Sequence, residues 1–117
     1  MTPEQIKDEL RSFTGTEYYY KHPFGIYFTD GVKFLAEVCS CYWLIDAVAS
    51  WQYDSKVKAQ EFQVYRLKVK KDQSAVLLIE NGNNRIIQKQ ELEFCDFPLD
   101  QIEIWFSNGV AYLPSEH

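Results

Sequence analysis

The chain has 117 residues, of which 46% are hydrophobic and 25% are charged, and its net charge is -5 at pH 7. This length fits a single domain over residues 1–117, and the composition excludes an intrinsically disordered protein. The acidic balance makes duplex nucleic acid an unfavourable partner, because neutralising phosphates requires a surplus of Lys and Arg.

Signals for secretion and membrane insertion are missing from the sequence. The first residues, MTPEQIKDEL, form no apolar leader, and no window approaches the roughly 18 apolar residues of a membrane span. Three cysteines are an odd number, so we expect reduced thiols rather than a disulfide framework. We therefore expect a cytoplasmic protein that does not bind a membrane.

An amphipathic helix is predicted at the start of the chain. Thr2 is a suitable N-cap, and Gln5 completes a capping box with it. The apolar residues fall at helical spacing, and they are Ile6, Leu10 and Phe13. We expect this face of the helix to lie in the core.

Two further helices, or one long helix, are predicted between residues 29 and 52. Residues 18–28 are aromatic and are interrupted by Pro and Gly, which indicates a loop and then a short strand at 26–28. Asp30-Gly31 permits a hairpin turn, but the residues that follow favour Thr29 as a helix N-cap. Residues 32–52 keep helical spacing, either as one helix or as two with a break near Ser40.

The second half of the chain predicts strands. Residues 61–71 alternate between apolar and basic side chains, and residues 75–79 form a continuous apolar run. Asn81-Gly82 and Asn108-Gly109 each separate two such segments, which is typical of β-hairpins. We predict an α+β fold in which the N-terminal helices pack on one face of a four- to five-stranded antiparallel sheet.

The second hairpin supplies the candidate binding residues. A two-residue turn at 108–109 pairs Ser107 with Val110, Trp105 with Tyr112 and Phe106 with Ala111, so both faces of the hairpin are partly apolar. One face must pack in the core, and we expect the apolar side chains of the other face to be covered by another part of the protein or by a partner. The candidate interface residues on that other face are Trp105, Tyr112, Val110 and the neighbouring Glu103.

The charge near these residues is also uneven. Residues 91–117 contain six acids and no Lys or Arg. Tyr and Trp are enriched at interfaces between proteins. We therefore predict a non-enzymatic module that binds a protein partner or forms a homodimer through this face.

A carboxylate cluster is the alternative. Asp30, Asp46 and Asp96 lie in apolar surroundings, and converging carboxylates hold metal ions for phosphoryl or hydrolytic chemistry. Each also has a structural explanation, in a turn or at a helix edge. A small metal-assisted hydrolase or nuclease is therefore the weaker hypothesis, and we predict no catalytic residue, cofactor or metal. Asp46 is the most informative of the three, because a charge in so apolar a helix needs a partner.

The cysteines carry no functional prediction. Cys39 and Cys41 have neither zinc-site nor redox-motif spacing, and the third cysteine is Cys95. On a helix, residues 39 and 41 point about 200° apart, so they are not expected to share a ligand. We expect small buried hydrophobic residues.

A third hypothesis is binding of single-stranded nucleic acid. Arg66, Lys68 and Lys70 share one face of a predicted strand, and the chain has eight tyrosines. Aromatic rings beside a basic strand can stack unpaired bases.

The sequence also resembles a domain family of unknown function, found in small bacterial proteins that include cyanobacterial ones. The motifs that carry the resemblance are FTGTEYYY (13–20), TDGV (29–32), YWLIDAVASWQ (42–52), DFPL (96–99) and LPSEH (113–117). The likeness spans nearly the whole chain. It implies a soluble bacterial cytoplasmic protein and supplies no activity, cofactor or site residue.

Overall fold

The computed structural model describes residues 1–117. The helices are α1 (Pro3–Ser12), α2 (Asp30–Val38), α3 (Tyr42–Trp51) and α4 (Ser55–Lys58). The strands are β1 (Tyr19–Lys21), β2 (Tyr27–Thr29), β3 (Phe62–Val69), β4 (Ala75–Asn81), β5 (Ile86–Leu92), β6 (Gln101–Ser107) and β7 (Val110–Tyr112). A 3₁₀ turn follows at Pro114–Glu116. None of the helices has the length and apolar character that crossing a membrane requires.

All seven strands form one mixed sheet, in the order β1-β2-β7-β6-β3-β4-β5. The pair β2–β7 is parallel and the other pairs are antiparallel. The prediction of a four- to five-stranded antiparallel sheet under N-terminal helices was therefore wrong. Its strand count was too low, and it missed the parallel pair.

The aromatic segment near the start supplies two strands: β2, which the sequence predicted as a short strand at 26–28, and β1, which it missed. Residues 19–21 and 27–29 pair as a hairpin, with Gly25 at a φ of 94° in the connection. This positive φ is favourable only for glycine, which explains how the chain reverses there. Tyr20 stacks on Phe28 at 5.5 Å between ring centroids. Strands β2 and β7 lie near opposite ends of the chain, so no local sequence pattern predicts that they pair.

The helix starts follow the predicted caps. Thr2 and Gln5 form a capping box at α1, and Ile6 and Leu10 are buried. The Thr29 side chain accepts a hydrogen bond from the Val32 N–H, so the cap at α2 is confirmed.

The predicted long helix is two helices. Ser40 adopts a φ of 51° between α2 and α3, and the Cys41 N–H donates to the Ala36 carbonyl at 2.9 Å. A left-handed residue ends an α-helix because its backbone cannot continue the ladder. The alternative of two helices with a break near Ser40 is confirmed.

The second Asn-Gly hairpin has the predicted register. Trp105 pairs with Tyr112, and Ser107 with Val110. Asn108 and Gly109 have φ values of 53° and 78°, the left-handed pair that a two-residue turn between twisted strands requires.

One face of the sheet forms the core with the helices. Tyr65, Leu67 and Ile104 lie on this face, in the same buried cluster as Leu44 and Val48 of α3. Successive strand residues point to opposite faces, so their neighbours in sequence point away from the helices. We call that second side the open face. Its residues Arg66, Trp105 and Tyr112 lie outside the core cluster.

Candidate functional site

The open face carries an aromatic cluster, which consists of Phe62, Trp105, Tyr112 and His117. Ring centroids lie 5.3 Å apart for Phe62 and Trp105, and 6.3 Å apart for Trp105 and Tyr112, with both pairs edge-to-face. His117 stacks on Tyr112 at 5.8 Å and meets the Trp105 ring at 5.3 Å. These contacts hold the rings in fixed orientations, so the cluster is a preformed surface.

The strand ladder explains why these rings meet. Trp105 of β6 pairs with Val64 of β3 and with Tyr112 of β7. Phe62 and Val110 both pair with Ser107, one row along the sheet. Side chains in directly opposed or adjacent rows are in contact range.

A charged network borders the cluster. The Arg66 guanidinium donates to Glu80 at 3.0 Å and to Glu103 at 3.2 Å. The hydrogen bond to Glu80 and the nearby charge of Glu103 raise the pKa of Arg66 above its usual value. Glu103 also accepts from the Trp105 indole N–H at 3.2 Å. Glu103 therefore orients Trp105, and one acid of the 91–117 segment is neutralised by β3.

Three of the predicted interface residues thus form one surface with Phe62 and His117, and Val110 extends it. Phe62 was missed in the sequence, although the alternation of 61–71 places it on the same face as Arg66. His117 was missed because it follows the last strand, where no periodicity applies.

Asp30 belongs to a different part of the molecule. Its carboxylate accepts from the Glu17 N–H at 2.9 Å and from the Tyr20 hydroxyl at 2.8 Å. These two hydrogen bonds, with the backbone one first, hold the pKa of Asp30 below its usual value. The carboxylate therefore fastens the 13–20 segment to the start of α2.

Asp46 is paired with His22. The Asp46 carboxylate lies 2.6 Å from Nε2 of His22, and Nδ1 of the same ring accepts from the Phe24 N–H at 3.1 Å. Because Nδ1 is the acceptor, Nε2 carries the hydrogen and donates it to Asp46. His22 is 7% exposed, so the pair ties the loop between β1 and β2 to α3. Both ring nitrogens of His22 are therefore engaged in hydrogen bonds within the protein.

The structure does not bring the three predicted carboxylates to one metal site. Asp96 is exposed after β5, whereas Asp30 and Asp46 are engaged as described above. No group of three or more His, Cys, Asp or Glu side chains is placed to hold a metal ion.

The cysteine geometry was predicted wrongly. Cys39 caps the end of α2 and Cys41 precedes α3, so they flank the break and do not share one continuous helix. The Cys41 thiol donates to the Leu35 carbonyl at 3.6 Å, and the proximity of the two thiols lowers the pKa of Cys39 and raises that of Cys41. Both thiols and that of Cys95 are free and buried.

Comparison with known proteins identifies a family. Residues 4–117 match the model of a family described as "Family of unknown function (DUF6876)". The chain belongs to this family. No curated protein and no solved structure matches it. The resemblance to a family of unknown function is thereby confirmed, and the function stays open.

Two of the segments quoted above, TDGV (29–32) and LPSEH (113–117), meet in the structure. Glu116 accepts from the Thr29 hydroxyl at 2.6 Å, the Gly31 N–H at 3.2 Å and the Leu113 N–H at 2.9 Å. A carboxylate at the first turn of a helix accepts hydrogen bonds from N–H groups that have no partner within the helix, and its negative charge interacts favourably with the helix dipole. These segments therefore have a structural role at the start of α2, and His117 at the end of the second segment belongs to the aromatic cluster of the open face.

Proposed function

We propose that the protein is a non-enzymatic interaction module that binds a second copy of itself through the open face. The observation that supports this proposal is the aromatic cluster of Phe62, Trp105, Tyr112 and His117, which no helix covers. Trp and Tyr at the centre of a surface contribute most to binding between proteins.

The dimensions of the open face suit a partner of similar extent. Seven strands at about 4.8 Å spacing give a width of about 30 Å, and a seven-residue strand is about 23 Å long. Such a face offers several hundred Å², the same order as the ~800 Å² that each partner buries in a standard interface. A second copy offers a sheet face of the same size.

The charge of the open face also suits self-association. Strand alternation places both signs on it, in nearly equal number: Lys21, Arg66, Lys68 and Lys89 against Glu80, Glu91 and Glu103. Two copies can therefore meet face to face without the repulsion that the net charge of -5 suggests.

The test is a double substitution, Trp105→Ala with Tyr112→Ala. We expect sedimentation equilibrium to show a dimer for the unmodified chain and at least about tenfold weaker association for the variant, because the anchoring rings are lost. Tyr53→Ala is the matched control, since Tyr53 is an exposed ring that is 77% accessible and lies in none of the strands. Circular dichroism must show that each variant is folded. An unmodified chain that stays monomeric at millimolar concentration would contradict the proposal.

The other hypotheses have less support. A metal-assisted hydrolase requires converging carboxylates, but Asp30 and Asp46 lie in separate contacts and Asp96 is exposed. Single-stranded nucleic acid gains one supporting observation, because Arg66 and Lys68 project on the same face as Trp105. Arg66 is already neutralised by two carboxylates, however. We expect no salt-sensitive binding of a fluorescent oligothymidylate.

A bacterial cytoplasmic setting is part of the same proposal. The shared motifs suggest a bacterial protein. The three buried free cysteines fit a reducing compartment, where thiols persist.

A further inference from the structure

Strand β6 extends beyond its neighbour β7. β6 covers Gln101–Ser107, but β7 pairs with only Trp105, Phe106 and Ser107. Residues 101–104 therefore pair with β3 on one side and with no strand on the other. The first half of β6 is therefore a free strand edge, although β6 is not the last strand of the sheet. The neighbouring strands β7 and β2 lie only beside the second half of β6.

The open edge presents unpaired backbone groups. In an antiparallel ladder, alternate residues direct both N–H and C=O to the same neighbouring strand. The Val69 N–H donates to the Asp100 carbonyl at 2.8 Å. The backbone N–H and C=O groups of the even-numbered residues of β6 therefore point toward β3. Gln101 and Glu103 then face the opposite side, and neither has a backbone partner there. Unpaired groups of this kind are a template for another strand.

Pro114 explains why β7 does not fill this edge. The hairpin register that pairs Trp105 with Tyr112 would place residue 114 opposite Glu103. Proline has no N–H to donate to the Glu103 carbonyl. The chain instead turns at Pro114–Glu116, where Glu116 holds it against the Leu113 N–H.

A groove runs along the same edge. Its volume is about 330 Å³, and its walls are α1 and the first half of β6. Its apolar floor is buried and consists of Leu10, Leu99 and Leu113. Lys7 and Arg11 line the helix side, whereas Asp100 and Glu103 line the sheet side.

We propose that this groove binds an extended peptide that adds a short strand beside residues 101–104 and carries an acidic side chain toward α1. The free N–H and C=O of Gln101 and Glu103 repeat at the spacing of a strand backbone, which a peptide matches. Four residues at about 3.3 Å rise span about 13 Å, so the bound stretch is short. The acids on the sheet side repel an acidic peptide side chain. Lys7 and Arg11 attract it, because their ion pairs with Glu4 and Asp8 on α1 are exposed and therefore weak enough for a peptide carboxylate to compete.

Amide hydrogen exchange of the free protein tests the open edge. We expect the amides of Gln101 and Glu103 to exchange at least about tenfold faster than those of Ile102 and Ile104 in the same strand, because only the latter are in the ladder with β3. Equal protection of all four amides would show that the edge is closed and would overturn the proposal.

The binding probe is a pool of acetylated, amidated pentapeptides X-Glu-X-Glu-X, in which X is Val, Ile, Leu, Phe or Tyr. We expect the pool to shift the amide resonances of Gln101 and Glu103 and to slow their exchange. The same pool N-methylated at its middle residue loses the strand hydrogen bonds and is the matched control. No shift with the first pool, or equal shifts with both, would overturn the proposal.

Charge reversal tests the helix side of the groove. Lys7→Glu with Arg11→Glu changes two side chains whose ion pairs, with Glu4 and Asp8, are exposed, and circular dichroism checks that the double variant is folded. We expect the acidic pool to bind about three- to tenfold more weakly. Lys58→Glu is the control, because Lys58 is exposed on α4 and does not line the groove. Unchanged binding in the double variant would refute the acidic preference, and it would leave self-association through the open face unaffected.

Discussion

Two isolated carboxylates hold the β1–β2 hairpin against the helices. Asp46 on α3 accepts from His22, and Asp30 at the start of α2 accepts from Tyr20. The partner of Asp46 is 24 positions away in sequence, at a histidine with no pattern around it. The sequence therefore shows that Asp46 needs a partner without showing which one.

Asp30 gives the molecule a predictable acid sensitivity. Hydrogen bonds from Glu17 and Tyr20 lower the pKa of Asp30 from its usual 3.8 in the folded state. A carboxylate with a lowered folded pKa contributes stability above the unfolded value, and this contribution is lost as pH falls through the folded value. Below about pH 4, we expect the free energy of unfolding to fall less steeply with decreasing pH in Asp30→Asn than in the unmodified chain, as measured by denaturant titration.

Tyr20→Phe is the matched control for this acid dependence. It removes one of the two hydrogen bonds and keeps the ring that stacks on Phe28. The acid dependence of this variant should lie between those of the unmodified chain and Asp30→Asn. An unmodified pH profile in Asp30→Asn would show that the carboxylate has the same pKa in both states.

At the scale of elements, the start of α2 depends on a glycine. A Cβ built on Gly31 would lie 2.7 Å from the Glu116 carboxylate and 2.7 Å from the Leu113 side chain. We expect Gly31→Ala to lower the free energy of unfolding by about 1–3 kcal/mol, because Glu116 must leave the first turn of the helix. Chemical denaturation measures the change.

Gly15→Ala is the control for this close approach. Nothing lies within 4 Å of a Cβ at Gly15, and its φ is not positive. We expect a change within about 0.5 kcal/mol. If the two variants lose the same stability, the contact with Glu116 is unimportant.

Some connections between elements could be predicted from their own residues and others could not. Asn108-Gly109 has the residues that a left-handed turn prefers, so the register of its hairpin was predictable. Ser40 takes a left-handed φ without being Gly or Asn. The sequence therefore allowed either one long helix or two helices over residues 32–52. The assumption that Cys39 and Cys41 lie on one helix was wrong.

At the scale of the whole molecule, self-association should be visible in stability. Binding between folded copies stabilises them by mass action, so the midpoint of thermal unfolding should rise with protein concentration. We expect this rise for the unmodified chain and a flat midpoint for Trp105→Ala with Tyr112→Ala, measured by calorimetry from micromolar to millimolar concentration. A midpoint that is independent of concentration in both proteins would contradict a dimer.

The sequence by itself determined the local features of this protein. It determined the caps of α1 and α2, the alternation of β3 and the pairing of Trp105 with Tyr112, because each depends on residues within one or two turns of chain. Only the tertiary structure decided the seven-stranded mixed sheet, the contact of Glu116 with Gly31 and the exposed edge of β6. These features join segments as much as 85 positions apart, and the free energy of such contacts depends on the three-dimensional arrangement and leaves no sequence period.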